Sequence, residues 1–193
     1  MSNISDGSRP VKLAYPSSRL LKQAFKAPIP LWRMGLGFLV GKLFMILTTT
    51  GRKSGLPRHT AIEFHEYKGR KYIYSGFGEK ADWYKNILAN PHVTIQTASG
   101  TEHVIARRIT DEGDLAEAFQ FVAHNPTMKR WIQAIGFRLD PDEFVDMKDR
   151  LFLITFDPTE KRTPLPLEAD LKWIWLMIIP VSILIGWLLI RQR

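Results

Sequence analysis

Hydrophobic and polar positions change period along the chain, and each change predicts an element. Over residues 17–26 (SSRLLKQAFK), Leu20, Leu21, Ala24 and Phe25 share one helical face, with Arg19, Lys22 and Lys26 outside it. Pro28 and Pro30 end that helix, and a second apolar piece, LWRMGLGFLVG, follows. From Leu43 the pattern turns strand-like. LFMILTTT stops at the turn signal GRKSG, HTAIEFHEY alternates, and the turn KGR leads into KYIYSG, which together predict an antiparallel meander. Residues 81–90 predict a short helix before Pro91, and HVTIQTA, the Ser99–Gly100 turn and EHVIARRIT predict a second hairpin. Residues 111–123 read as a helix capped by Thr110 or Asp111, residues 127–137 and 141–148 as short helices, and RLFLITF as a closing strand.

Strands joined by short turns, with one helix between the third and fourth, predict an α+β fold. Its centre is a six-stranded, mostly antiparallel small barrel rather than a doubly wound sheet, which would need strand–helix alternation throughout. The expected organisation is a basic amphipathic N-terminal helical segment (1–42), the barrel domain (43–157), a linker with three prolines (158–171) and a membrane anchor (172–191). Residues 173–190, WIWLMIIPVSILIGWLLI, carry no charge and are bracketed by Lys172, Arg191 and Arg193. As a helix they cover about 27 Å, close to the ~30 Å hydrocarbon core, with Trp173, Trp175 and Trp187 where interfacial aromatics belong. The expectation is a single C-terminal transmembrane helix with the other domains on one side of the cell membrane.

Charge sharpens this picture. The chain has 193 residues and a net charge of +8, but residues 1–60 hold ten Lys/Arg against one acid, Asp6. Such a concentrated field points to an anionic partner: a membrane surface, a phosphorylated ligand or nucleic acid. The membrane anchor argues against nucleic acid. With no cysteine there is no disulfide scaffold, thiolate metal site, iron–sulfur cluster or cysteine nucleophile. The histidines (His59, His65, His92, His103 and His124) form no zinc-ligand spacing, and no G-x-S-x-G elbow presents a serine nucleophile.

Two stretches carry candidate chemistry. In TTTGRKSGLPR, Gly51 and Gly55 frame Arg52, Lys53 and Ser54, and Arg58 follows; three cations and a hydroxyl can surround a phosphate or carboxylate. The order is not that of a P-loop, and a solvated hairpin tip is the competing reading. In SGFGEKADWYKN, two glycines at a strand end precede a helix start, where backbone N–H groups can meet an anion or the edge of a flat ring. Trp83 and Tyr84 suit either a stacking wall or the core.

Taken together, TTTGRKSGLPR, SGFG and DWYKNILANPHVTIQ resemble the deazaflavin-dependent nitroreductase family, which uses coenzyme F420. The resemblance spans roughly residues 43–156. It implies a split β-barrel of the flavin-binding, pyridoxamine-oxidase-like kind. It also implies that Arg52, Lys53, Ser54 and Arg58 hold the phosphate and acidic tail of the cofactor. Ser75, Gly76, Phe77 and Gly78 would line the deazaflavin, and Asp82, Trp83, Tyr84, Lys85 and Asn86 would continue that wall. Members that reduce nitro compounds or quinones carry tyrosines after the long helix; here the region is HNPTMKRW, without one. Met128 and Trp131 would then shape an apolar substrate pocket. The implied reaction is hydride transfer from reduced F420 to a hydrophobic acceptor (a quinone, a nitroaromatic or an unsaturated lipid-like molecule), with His124 and Tyr74 as candidate proton donors. FMN in place of F420, or a non-catalytic membrane-tethered flavin or anion binder, are the alternatives. Expected partners are a small hydrophobic substrate, a lipid membrane and a second copy of the chain as a homodimer, with no nucleic acid; the expected location of the catalytic domain is cytoplasmic.

Overall fold

The computed structural model describes residues 26–75, 78–126, 129, 140 and 152–191. The expected helix over residues 17–25, the short helices at 127–137 and 141–148, and Gly76, Phe77, Met128 and Trp131 lie outside the described residues or are not described beyond them.

Six strands close into a ring: β1 (Phe44–Thr50), β2 (Pro57–Tyr67), β3 (Arg70–Tyr74), β4 (His92–Thr97), β5 (Gly100–Arg108) and β6 (Leu153–Pro158). The order around the barrel is β1-β2-β3-β6-β5-β4, and every neighbouring pair is antiparallel. The strands arise where the sequence alternates, with one extension. β2 begins at Pro57 rather than His59, because Pro57 and Arg58 are in register with Thr50 and Thr49 across the hairpin. A proline is tolerated at a strand's first residue, where its missing N–H matters least.

Alternation sorts the side chains into two cores. Met45, Leu47, Ile73, Val93, Ile95, Val104, Ala106 and Ile154 form the inner cluster, joined by Tyr84 and Ile87 of α3 (Asp82–Ala89) and by Phe152. On another face, Tyr72 and Leu153 pack beneath Leu115, Ala118, Phe121 and Val122 of α4 (Glu112–His124), Phe121 stacking on Tyr72 at 4.9 Å between centroids. The cap of α4 is Asp111, whose side chain accepts a hydrogen bond from the Asp114 N–H at 2.9 Å.

Ion pairs fasten α4 to the barrel. Asp114 receives Arg70 of β3 at 3.1 Å and also Arg107 of β5, while Arg70 reaches Glu117 and Arg107 reaches Asp157 at 2.9 Å. The Arg107 guanidinium, hydrogen-bonded to Asp114, pulls that carboxyl down to about 2.

Before β1 lie α1 (Pro28–Leu31), a π-helical turn (Trp32–Leu36) and α2 (Gly37–Val40). After β6, residues 159–170 run back over β4. Gln96 donates to the Leu167 carbonyl at 3.1 Å and accepts from the Leu167 N–H at 2.8 Å, and the Thr94 and Thr163 hydroxyls pair at 2.7 Å. This strap ends at α5 (Ile174–Arg191), an apolar helix containing Pro180. Among the described residues no helix is long and apolar enough to cross a membrane. The uncharged part of α5, residues 174–190, covers about 26 Å against a core of ~30 Å, so the fold itself does not supply the expected span.

The pH dependence of the α4 ion pairs follows from Asp114. Its folded value lies below the unfolded value of about 3.9, so its contribution is complete above roughly pH 4 and fades as pH falls towards 2. Asp114→Asn is expected to lose on the order of 2 kcal/mol in urea unfolding at pH 7. The deficit against the native chain should shrink as the titration is repeated at lower pH.

Candidate active site

The β1–β2 turn is built from the inside outwards. Gly51 N–H donates to the Leu56 carbonyl at 2.9 Å, and the N–H groups of Ser54 and Gly55 both reach back to the Gly51 carbonyl. Gly55 has a φ of 68°, a left-handed conformation that favours glycine and lets the turn reverse. The Ser54 hydroxyl accepts from the Leu56 N–H and from Arg58, each at 3.3 Å. The four residues therefore do come together, and Lys53, Ser54 and Arg58 are exposed on one short turn.

Arg52 does something different. Its guanidinium crosses to α3, donating to the Asp82 carboxylate at 2.9 Å and to the Asn86 side-chain oxygen at 3.1 Å. The Arg52 N–H also donates to that Asn86 oxygen, at 3.2 Å, and the buried Asn86 amide donates to the Thr49 hydroxyl at 3.1 Å. Asn86 thus ties strand, turn and helix together. The hydrogen bond from Arg52 lowers the Asp82 carboxyl from its ordinary value. The pairing takes up one of the turn's three cations and leaves Lys53 and Arg58 facing solvent, with Lys85 exposed on α3.

The second stretch lies on the same side of the fold as α3. Ser75 is buried, its hydroxyl donating to the Gly78 carbonyl at 2.8 Å, while Gly78 N–H returns to the Ser75 carbonyl. A 3-10 turn (Gly78–Lys80) then delivers the chain to α3. Tyr84 is a core residue, edge-on to Phe152 at 5.4 Å, whereas Trp83 is partly buried and edge-on to Tyr84 at 6.0 Å. Of the aromatic pair, Trp83 retains surface.

The two candidate proton donors are placed elsewhere. Tyr74 packs against the α4 cluster, and burial pushes its phenol up to about 12. His124 ends α4 and stacks on Tyr67 at 6.0 Å, at the far end of β2. Nine residues of strand separate Arg58 from Tyr67, roughly 30 Å.

Beside that far end lies a cleft of about 390 Å³, bordered by Lys42, Leu43, Phe64, His65, Glu66 and Asn125. His65 was not among the residues that the sequence motifs single out. Its ring lies 5.7 Å from Phe121, and Nδ1 is 3.5 Å from the Asn125 amide; burial lowers its pKa, partly opposed by Glu63. The one sequence signal was its place in the alternation of β2, on the same face as Glu63 and Tyr67.

The fold and the site define a closed six-stranded barrel that carries an exposed cationic turn. A model of the F420H(2)-dependent quinone reductase family matches residues 33–132, and the chain belongs to that family. It is an F420-dependent reductase, and its cofactor is coenzyme F420. Solved structures with partial similarity include an F420-H2 dependent reductase (24% identity, 60% of this chain and 93% of that one, TM-score 0.41). Another is described as a domain-swapped dimer (21%, 74% and 100%, 0.45), and a third is General Stress Protein 26 from Bacillus anthracis (16%, 72% and 88%, 0.39). Scores and identities this low leave the family match as what identifies the chain.

The different settings of the cations separate two roles. Arg52→Ala removes the guanidinium donor of the buried Asn86 oxygen, leaving it the residue-52 backbone N–H, and breaks the pair with Asp82; it should cost about 0.5–1.5 kcal/mol of stability in thermal or urea unfolding. Lys53→Ala and Arg58→Ala, on exposed side chains, should stay within about 0.5 kcal/mol of the native chain in the same measurement.

Proposed function

We propose that this reductase passes a hydride from reduced F420 to a hydrophobic acceptor, with a quinone as the first choice and nitroaromatics or unsaturated lipid-like molecules as further substrates. The observation that carries the reading is the exposed pair Lys53 and Arg58 on a turn whose shape is held by Arg52, Asp82 and Asn86. Two exposed cations beside a hydroxyl suit the phosphate and carboxylates of an acidic tail. This is the fit of the residues to the cofactor. Lys53, Ser54 and Arg58 would hold the tail, while Ser75, Gly78 and Trp83, with Gly76 and Phe77 between them in sequence, would border the ring.

Bound there, the coenzyme supplies the hydride, and the protein's part is to bind, orient and exclude water. Arg52, Asp82 and Asn86 contribute by fixing the turn against α3. Lys85, exposed on α3, adds positive charge to the approach.

The reading includes attachment to the cell membrane through α5, with the barrel on the cytoplasmic side where such a coenzyme is found. Its support is the 18-residue uncharged run and the exposure of Leu176, Met177, Ile179 and Ile183. A helix slightly shorter than the hydrocarbon core can be accommodated by local thinning of the bilayer. Attachment would raise the local concentration of a lipid-soluble acceptor.

The test of the cofactor role is a binding titration of F420, and separately of FMN, with the native chain and with Lys53→Ala/Arg58→Ala. At roughly 1.5–3 kcal/mol for each charge-assisted bond, the double variant should bind F420 well over tenfold more weakly. Unchanged affinity would remove the tail-binding role. For the acceptor, turnover on liposome-borne quinone should fall when the chain is ended after Leu171, a cut that keeps the strap on β4. Equal rates would remove the membrane from the reading.

A further inference from the structure

The root of α5 is fastened to the N-terminal segment rather than hanging from the linker. Arg33 forks onto the Asp170 carboxylate, Nε to Oδ1 at 2.8 Å and Nη2 to Oδ2 at 2.6 Å. Leu171 N–H donates to the Arg33 carbonyl at 2.9 Å, and the Trp175 indole donates to the Met34 carbonyl at 2.7 Å. Gly35 has a φ of 88°, and a Cβ there would stand 3.1 Å from the Lys172 side chain. The approach is close, and it places the start of the apolar helix against residues 33–35.

A few residues further on, the same segment presents large apolar side chains to solvent. Phe38 is 66% exposed, Leu39 56% and Leu43 67%, three large apolar side chains within six positions of the chain. Lys42 lies between them in sequence and is exposed, Lys26 is exposed earlier in the segment, and Lys172 stands at the root of α5. From Gly7 to Ile62 the chain contains no Asp or Glu. Asp170 is paired with Arg33; the nearest acids are Glu66, which borders the same cleft as Lys42 and Leu43, and Glu63, in register with Phe44.

We propose that Phe38, Leu39 and Leu43, with Lys42, form a second contact with the membrane, seated on an anionic lipid surface. The inference rests on the membrane reading above and adds to it an orientation. Two points define the attachment: α5 enters the bilayer, and the rim of the cleft at Lys42–Leu43 lies on its surface. Exposed apolar side chains on a segment whose own charges are all positive match an interface whose headgroups are negative and whose interior is hydrocarbon. The Arg33–Asp170 clamp makes the two contacts parts of one body, because it bridges the segment carrying Phe38 to the segment that starts α5.

The chain has no cysteine, so single ones can be placed and labelled without background. Full-length chains carrying Leu39→Cys, Ile179→Cys or Leu88→Cys, each with an NBD fluorophore, are reconstituted into vesicles of phosphatidylcholine with phosphatidylglycerol. Leu88 is exposed on α3 and serves as the reference position. The expected result is blue-shifted emission, quenched at least twofold by doxyl-labelled lipid, at Leu39→Cys and Ile179→Cys, with water-like emission at Leu88→Cys. Water-like emission at Leu39→Cys with a shielded Ile179→Cys overturns the second contact and leaves the anchor standing. Water-like emission at both overturns the anchor as well. Equal shielding of Leu39→Cys in phosphatidylcholine alone overturns the anionic preference, and shielding that needs no lipid but rises with protein concentration assigns the face to a second copy instead.

Discussion

A single buried amide links the parts on which the site depends. Asn86 donates to Thr49 at the end of β1 and accepts from both the backbone and the guanidinium of Arg52, so that barrel wall, turn and helix share one set of hydrogen bonds. A buried polar group is costly unless satisfied, and here satisfaction requires the turn to adopt one shape. The shape of the cationic turn is therefore set by its neighbour in space, not by its own glycines alone. Asp82, at the first residue of α3, adds the charge that holds the Arg52 guanidinium against the helix at the surface.

Within one short motif the cations have two settings. Arg52 is bidentate across two acceptors, a geometry that suits a planar guanidinium better than an ammonium. Lys53 and Arg58 are left on the surface, Arg58 within reach of the Ser54 hydroxyl. The cleft near His65 lies at the other end of β2.

Much of the barrel could be read from alternation alone. HTAIEFHEY and HVTIQTA carry their faces openly, and the turns KGR and Ser99–Gly100 announce their hairpins. Local signals also located the α4 cap, though choosing Asp111 over Thr110 needed the hydrogen bond to Asp114. What could not be read were contacts between residues distant in sequence. Arg52 meets partners 30 and 34 positions away, and Gln96 pairs with Leu167 across 71, so residues 159–170 look like a loose linker in sequence yet lie along β4 in the fold. Trp83 and Tyr84 were ambiguous for a related reason: adjacent residues on a helix point in different directions, and only the packing against Phe152 shows which one is buried.

Ring closure has one last consequence. In an open sheet the outermost strands offer unpaired amide groups to any extended segment that drifts by. Here each of the six strands is already bonded on both sides, so the barrel has no such invitation to give. Recruitment of a neighbour through a free edge strand is then not on offer, and side chains on the helices and loops are left to provide it.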